Sequence, residues 1–251
     1  MMKQKKMLNL LLALVLSLSL LTGCGNRAQQ PDDSSDNNNT TDTEQPKDEN
    51  QAAAEQLLVD LTGTYQELWP VILADEYTQT WIDDCAALVG EENAQAAYDK
   101  LSSMVTGTVY GEEAVAAYAN GGGAYDCSFT EGLSTLEFDG ANAAIKGYDA
   151  AGNELFSHTY HYVGMEDIRG LYEYESDDAD SGEFTYFCLA PDTNTTTYHI
   201  EFRYGSDLDQ LLKYFTGPYA YWLSAGIDEN ADAQTIDNVI DLFVTENLSG
   251  E

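Results

Sequence analysis

Positive charge is what this chain has least of: ten Lys and Arg stand among 251 residues, against 44 Asp and Glu, for a net charge of −34. Phosphate recognition depends on clustered basic side chains, so nucleic acid is excluded as a partner. Anionic lipid headgroups would repel the same surface, so membrane association has to come from a lipid anchor alone. Such a field draws in cations, divalent metals included, without specifying a site for them. Histidine is scarce as well, with three residues, and there are four cysteines. Catalytic signatures are missing: there is no Gly-x-Ser-x-Gly elbow, no His-Glu-x-x-His zinc helix and no Gly-rich phosphate loop. The run Gly121-Gly122-Gly123 carries no lysine and reads as a linker. The composition therefore points to a binding protein and not to an enzyme.

The N-terminus is built differently from the rest. Lys3, Lys5 and Lys6 precede an apolar stretch from Leu8 to Leu21, and the small residues Thr22 and Gly23 come just before Cys24. These are the three regions of a secretory signal. The apolar stretch is shorter than the roughly 20 residues that span a bilayer. Leu21-Thr22-Gly23-Cys24 resembles the bacterial lipobox, in which cleavage leaves an acylated cysteine as the new N-terminus. The expectation is a lipoprotein signal peptide over residues 1–23, lipidation at Cys24, and a mature protein anchored on the extracytoplasmic face of a bacterial membrane. A plain secretory signal or an uncleaved anchor is the alternative. Cleavage would remove three lysines and no acids, taking the net charge from −34 to −37. It would leave Cys85, Cys127 and Cys188, an odd set that allows at most one disulfide. Their spacings match no metal motif, and buried thiols are the expected outcome.

From Gly25 to Asn50 the chain is polar, rich in Asp, Asn and Thr, and nearly free of large apolar groups. Burial there cannot offset the entropy of ordering, so residues 24–50 read as a disordered acidic tether. Residues 51–251 are enough for one domain with its own core. No internal repeat is present. The periodicity is helical from residue 51 to 120, with Trp81, Cys85, Leu88 and Val89 at i, i+4, i+7 and i+8, and further helical stretches over 93–104 and 112–118. Beyond residue 124 the period becomes two, with candidate strands at 125–130, 135–138, 142–148, 154–163, 170–175, 183–189 and 196–204. Short turn signals such as Asp139-Gly140 and Ala151-Gly152-Asn153 separate them. Consecutive strands joined by short turns predict an antiparallel meander closing into a small barrel. Helical patterns over 207–215 and 233–248 end the chain. The predicted class is α+β: N-terminal helices, an antiparallel β-barrel and a C-terminal helix.

The three histidines are the residues most able to carry chemistry. His158 and His161 lie three apart on a predicted strand and so face opposite sides, which reads as two surface or hydrogen-bonded histidines rather than a chelating pair. In Thr197-Tyr198-His199-Ile200-Glu201-Phe202-Arg203-Tyr204-Gly205, alternation places His199, Glu201 and Arg203 on one face. Tyr198, Ile200, Phe202 and Tyr204 fall on the other. Imidazole and carboxylate two apart on a strand can converge on one zinc ion. By pattern alone the same three residues make a solvated or ion-paired face.

Four segments, in order, resemble one family. Gly63-Thr64-Tyr65-Gln66-Glu67-Leu68-Trp69-Pro70 is similar to the opening segment of the ZinT (YodA) family, Gly-x-Trp-x-x-x-Tyr/Trp-Pro. Arg169-Gly170-Leu171-Tyr172-Glu173 resembles its Arg-Tyr-Leu-Phe-Glu strand. His199 to Gly205 aligns with its His-x-His-x-x-Trp/Met-Gly segment, and Gly217-Pro218-Tyr219-Ala220-Tyr221 looks like its Trp-Pro-Thr-Tyr-Tyr. The resemblance spans about residues 55–247. It implies a lipocalin-like (calycin) barrel with accessory helices that binds zinc or related divalent ions outside the cytoplasm. In AdcA-type uptake lipoproteins this is the C-terminal part, which implies a metal ABC transporter as a partner.

Three histidines hold the family's metal, one from a loop and two from the His-x-His strand. Carried across, the first strand histidine is His199, the second falls on Glu201, and the loop histidine falls on Ala190. The resemblance therefore implies a rewired zinc site at His199 and Glu201, completed by water, by His158, His161 or Cys188, or by a nearby carboxylate. The alternative is a barrel that has lost metal and holds a small ligand or an envelope protein, for which 17 tyrosines would furnish a pocket as readily as a core.

Overall fold

Strict alternation makes the strands. In Thr135–Asp139 the apolar Leu136 and Phe138 are buried between half-buried polar neighbours, and in Ile200–Gly205 the residues Ile200, Phe202 and Tyr204 face one side. In the computed structural model, which describes residues 49–105, 128–212 and 223–249, such strands close into an antiparallel barrel. In chain order they are β1 (Gly63–Glu67), β2 (Thr135–Asp139), β3 (Ala144–Tyr148), β4 (Glu154–Met165), β5 (Tyr172–Ser176), β6 (Tyr186–Leu189), β7 (Ile200–Gly205) and β8 (Ser224–Asp228). Each pairs with the next, and β8 closes on β1 through Gln66↔Ile227. The described helices are α1 (Glu49–Asp60), α2 (Leu68–Ile72), α3 (Thr78–Val89), α4 (Glu91–Val105), α5 (Asn194–Thr197), α6 (Leu208–Leu212) and α7 (Ala233–Leu248). This is the lipocalin-like α+β barrel, flanked by helices before and after, that the sequence predicts.

Two cores follow from the two faces of the sheet. The inward face gathers Tyr65, Leu136, Phe138, Ile145, Tyr160, Tyr174, Phe187, Phe202 and Tyr204 into one cluster. Helix α1 joins it through Ala54, Leu57 and Leu58, and Leu61 just after the helix adds to them, each such leucine worth about 1.5–3 kcal/mol when fully buried. Interior tyrosines fasten α1 and the turn after it: the Tyr174 hydroxyl donates to the Ala54 carbonyl and the Tyr65 hydroxyl to the Leu61 carbonyl, both at 2.8 Å. Gly140 permits the approach, since a Cβ there would lie 2.2 Å from the Leu58 carbonyl oxygen. The outward face of β6 and β8, with Cys188, Ala225 and Ile227, meets α2, α3, α4 and α7 in a second cluster around Trp69, Trp81, Val239 and Ile240. Wrapping helices over this face turns it from a solvent surface into a buried layer, and the candidate site lies at its margin.

Several sequence expectations are corrected. The stretch read as wholly helical contains β1, whose five residues bury only Tyr65 deeply and so show too little alternation to register. Strand β8 lies where no strand is expected, because Ser224-Ala225-Gly226 has low strand propensity. Its small residues are what the closure needs: a Cβ on Gly226 would sit 2.9 Å from Tyr65 Cβ and 3.2 Å from Ile200 Cγ1. The described part of the expected 125–130 strand, residues 128–130, is irregular. Leu88, expected on the buried stripe of α3, is 44% exposed. The expected strand over 196–204 starts only at Ile200, because Thr193 donates its N–H to Thr196 Oγ1 at 3.1 Å and winds residues 194–197 into α5. Tyr198 then adopts a left-handed φ of 66° and is 38% exposed, so it leaves the core-facing row assigned to it. Cys85 and Cys188 are buried free thiols, as expected. The signal segment, Cys24, most of the tether, the 112–118 helix, the triple glycine, Cys127 and the 217–221 motif lie outside the described residues.

Candidate metal site

His199 is delivered by the turn that shortened its strand. With Tyr198 in the left-handed conformation, the imidazole folds back so that Nδ1 lies 2.7 Å from the Thr197 carbonyl oxygen. A carbonyl has no proton to give, so Nδ1 carries the hydrogen and donates it. The other nitrogen, Nε2, is thereby the lone-pair atom of the neutral ring, and a histidine held this way at Nδ1 is oriented as metal ligands are. Nε2 lies 3.6 Å from Glu201 Oε1. Zinc bonded to N and O at about 2.0–2.1 Å in a tetrahedron holds them roughly 3.3 Å apart, so a few tenths of an ångström of closure would admit the ion. The donor pair fits zinc in chemistry and in spacing.

The two residues sit in a cavity of about 420 Å³. Its walls come from α2 (Trp69), α4 (Met104), the β4–β5 turn (Arg169), the segment after β6 (Asp192), α5 (Thr197) and α7 (Phe243, Glu246, Asn247). His199 is nearly buried, with 11% of its side chain exposed, and the Glu201 side chain is 26% exposed. Asp192, Glu246 and Asn247 are exposed residues at the rim. Arg169 Nη2 lies 3.6 Å from Glu201 Oε2, so the carboxylate stands between an imidazole and a guanidinium.

The electrostatics follow from that arrangement. Burial pushes the His199 imidazole down, but the hydrogen bond and charge of Glu201, the Thr197 carbonyl and the charge of Glu246 outweigh it, and the net shift is upward. Burial pushes Glu201 up, but His199, Arg169 and Arg203 together carry it below the ordinary carboxylate value. Burial first, then the negative charges of Glu201 and Asp192, raise Glu246 against the opposing pull of His199. In the metal-free protein the pair is therefore an imidazolium–carboxylate pair at mildly acid pH, and a metal must displace a proton to enter.

The other expected contributors are elsewhere. His158 and His161 leave opposite faces of β4 and pair separately with Asp178 and Asp177, at 3.2 Å and 2.8 Å. Cys188 is fully buried on β6 opposite Arg203 and is held well above the ordinary thiol range, by burial first and then by Glu173. Ala190 is buried, its N–H donating to the Glu201 carbonyl at 2.9 Å, so the loop position implied as a ligand has become part of the sheet margin. Among the described residues, no group of three His, Cys, Asp or Glu is arranged to hold a metal ion. Asp192, Glu246, Arg169 and Trp69 are cavity residues that the sequence reading misses. The positions of Trp69 and Arg169 in family-like segments are the signals that would have pointed to two of them.

No protein-family model matches the sequence, and no curated protein matches it. Among solved structures the chain is similar to the Zn(II)-bound ZinT-like domain of Streptococcus pneumoniae AdcA, at 17% identity and a TM-score of 0.46, covering 73% of this chain and 89% of that one. It is also similar to Zn(II)-bound AdcA from the same organism, at 16% identity and a TM-score of 0.44, covering 72% of this chain and 34% of that one. The chain thus spans about a third of the length of that second protein.

Proposed function

We propose that this protein binds a divalent metal ion, zinc in the first instance, at His199 and Glu201, and serves metal acquisition or buffering outside the cytoplasm. The observation that carries the reading is the 3.6 Å approach of His199 Nε2 to Glu201 Oε1 on the wall of an open cavity, with Nδ1 already committed to the Thr197 carbonyl. Three further carboxylate or polar side chains at the rim, Asp192, Glu246 and Asn247, give an approaching cation a favourable path inward. Binding and release of a cargo ion need no further catalytic group, and the reading is that of a binding protein rather than an enzyme. A signal peptide ending at Gly23 and a lipid on Cys24 would tether the domain where such a cargo is met, with a metal ABC transporter as its recipient.

Calorimetry with Zn(II) on the purified protein, alongside His199→Ala and Glu201→Ala, tests the site. One zinc per chain, with affinity lost in the first variant and reduced in the second, is the expected result. Affinity no better than that of a generic acidic surface, unchanged in both variants, refutes it. Radiolabelled palmitate incorporated into the wild type and absent from Cys24→Ser tests the anchor.

A further inference from the structure

The Glu201 carboxylate is divided between two partners. Its Oε1 lies 3.6 Å from His199 Nε2, and its Oε2 lies 3.6 Å from Arg169 Nη2. Arg169 is the one Lys or Arg among the described residues lining the cavity, in a chain whose 44 acids face only ten bases. A pocket that had only to attract a cation would carry no guanidinium. This one hangs from a closely tied turn between β4 and β5. The buried Glu166 carboxylate accepts the N–H groups of Ile168 and Arg169. The Gly170 N–H donates to the Glu166 carbonyl at 3.1 Å, and the Glu166 N–H donates to the Leu171 carbonyl at 2.9 Å. Gly170 closes the turn with a φ of 75°, and the Leu171 side chain is buried in the core beneath it. The backbone that carries the guanidinium is therefore fixed at both ends, and its return to Glu201 is an intramolecular event.

We infer that Arg169 is a tethered competitor for the metal: it holds Glu201 in the metal-free protein and is repelled once a divalent ion takes that carboxylate, so that it lowers zinc affinity and speeds release. This rests on the metal-binding reading above and adds how the ion is let go. A dication entering between His199 Nε2 and Glu201 Oε1 places two positive charges across one carboxylate from the guanidinium. The attraction that Arg169 enjoys without the metal is then offset by repulsion, and the difference opposes binding. Both the Arg169 and the Glu201 side chains are 26% exposed, so solvent screens the repulsion and holds the effect to about tenfold in affinity. A cargo ion has to leave as well as arrive, and a cation fixed beside its ligand serves the first of these.

Zinc affinity by chelator competition, and zinc release by stopped flow into excess chelator, test this on the full protein, Arg169→Gln and Arg169→Lys. Arg169→Gln is expected to bind zinc about tenfold more tightly, with most of the gain in slower release. Arg169→Lys keeps the charge on a stem of similar reach and is expected to release zinc as the wild type does. Weaker binding and faster release in Arg169→Gln overturn the inference, since Arg169 would then be orienting Glu201 for the metal. No change in Arg169→Gln also overturns it, because the pair would be a screened surface contact. Slower release in Arg169→Lys, equal to that in Arg169→Gln, overturns it too, because charge would not be the cause. Zinc bound no better by the wild type than by His199→Ala removes the metal reading itself, and the inference with it. Circular dichroism checks that Arg169→Gln is folded; where it is not, Arg169→Met, a neutral side chain with an unbranched apolar stem, takes its place with the same expected outcome.

Discussion

Replacing Glu201 with Gln removes one charge and almost no volume, so its effect reads the electrostatics of the site directly. The His199 Nε2 to Glu201 Oε1 distance of 3.6 Å corresponds to about 1 kcal/mol in a water-like dielectric and about 5 kcal/mol at an effective constant of 20. Burial of both groups opposes that gain, and a net contribution of about 1–2 kcal/mol in the metal-free protein is expected. The pH dependence gives the sharper test. His199 is raised from its ordinary 6.5, so its contribution is complete below that value and fades as pH climbs through the folded-state value. Glu201 is lowered from its ordinary 4.5, so its contribution is complete above that value and fades as pH falls through the folded-state value. The stability difference between wild type and Glu201→Gln should therefore be greatest at about pH 5–6, between those two ordinary values, and should shrink in mild base. The pair with Arg169 leaves a residue of the effect there. Urea unfolding of both proteins at several pH values, in the presence of a chelator, measures it. A difference independent of pH, or one that grows toward pH 9, would refute the imidazolium–carboxylate assignment.

Three further outcomes are expected. Zinc affinity should rise with pH through the His199 titration, because the ion has to displace the Nε2 proton; calorimetry in buffers of different ionisation enthalpy should show proton release on binding. Gly140→Ala forces α1 away from the barrel, since the new Cβ would lie 2.2 Å from the Leu58 carbonyl oxygen, and should destabilise the fold by about 1–3 kcal/mol in urea titrations. Cys85 and Cys188 are fully buried and both are raised by burial, so iodoacetamide labelling followed by peptide mass spectrometry should modify them only after unfolding.

The sheet was legible where its residues alternate cleanly and its turns are short. Strands β2, β3, β4 and β5 satisfy both conditions, and their order as an antiparallel meander follows from the same pattern. The two strands that close the barrel did not announce themselves. Strand β1 buries one large side chain, and β8 is built from small residues because β1 and β7 crowd it on both sides. These are tertiary demands, which local propensity cannot register. In the site, the pairing of His199 with Glu201 was anticipated, although by a different geometry: a left-handed Tyr198 and a bend bring the imidazole to the carboxylate, instead of plain alternation along a strand. The rest of the cavity was not legible. Trp69, Arg169 and Glu246 are far apart in the chain, and only the wrapping of α2 and α7 over the outer face of the barrel brings them to one place.

Anomalous diffraction from crystals grown with zinc would locate the ion that His199 and Glu201 are proposed to hold together. The expected result is a peak at the zinc edge within about 2.0–2.2 Å of His199 Nε2 and of a Glu201 carboxylate oxygen, lying in the cavity bounded by Trp69 and Arg169. A zinc peak on the acidic surface with this cavity empty, or one held by His158 or His161 instead, would contradict it.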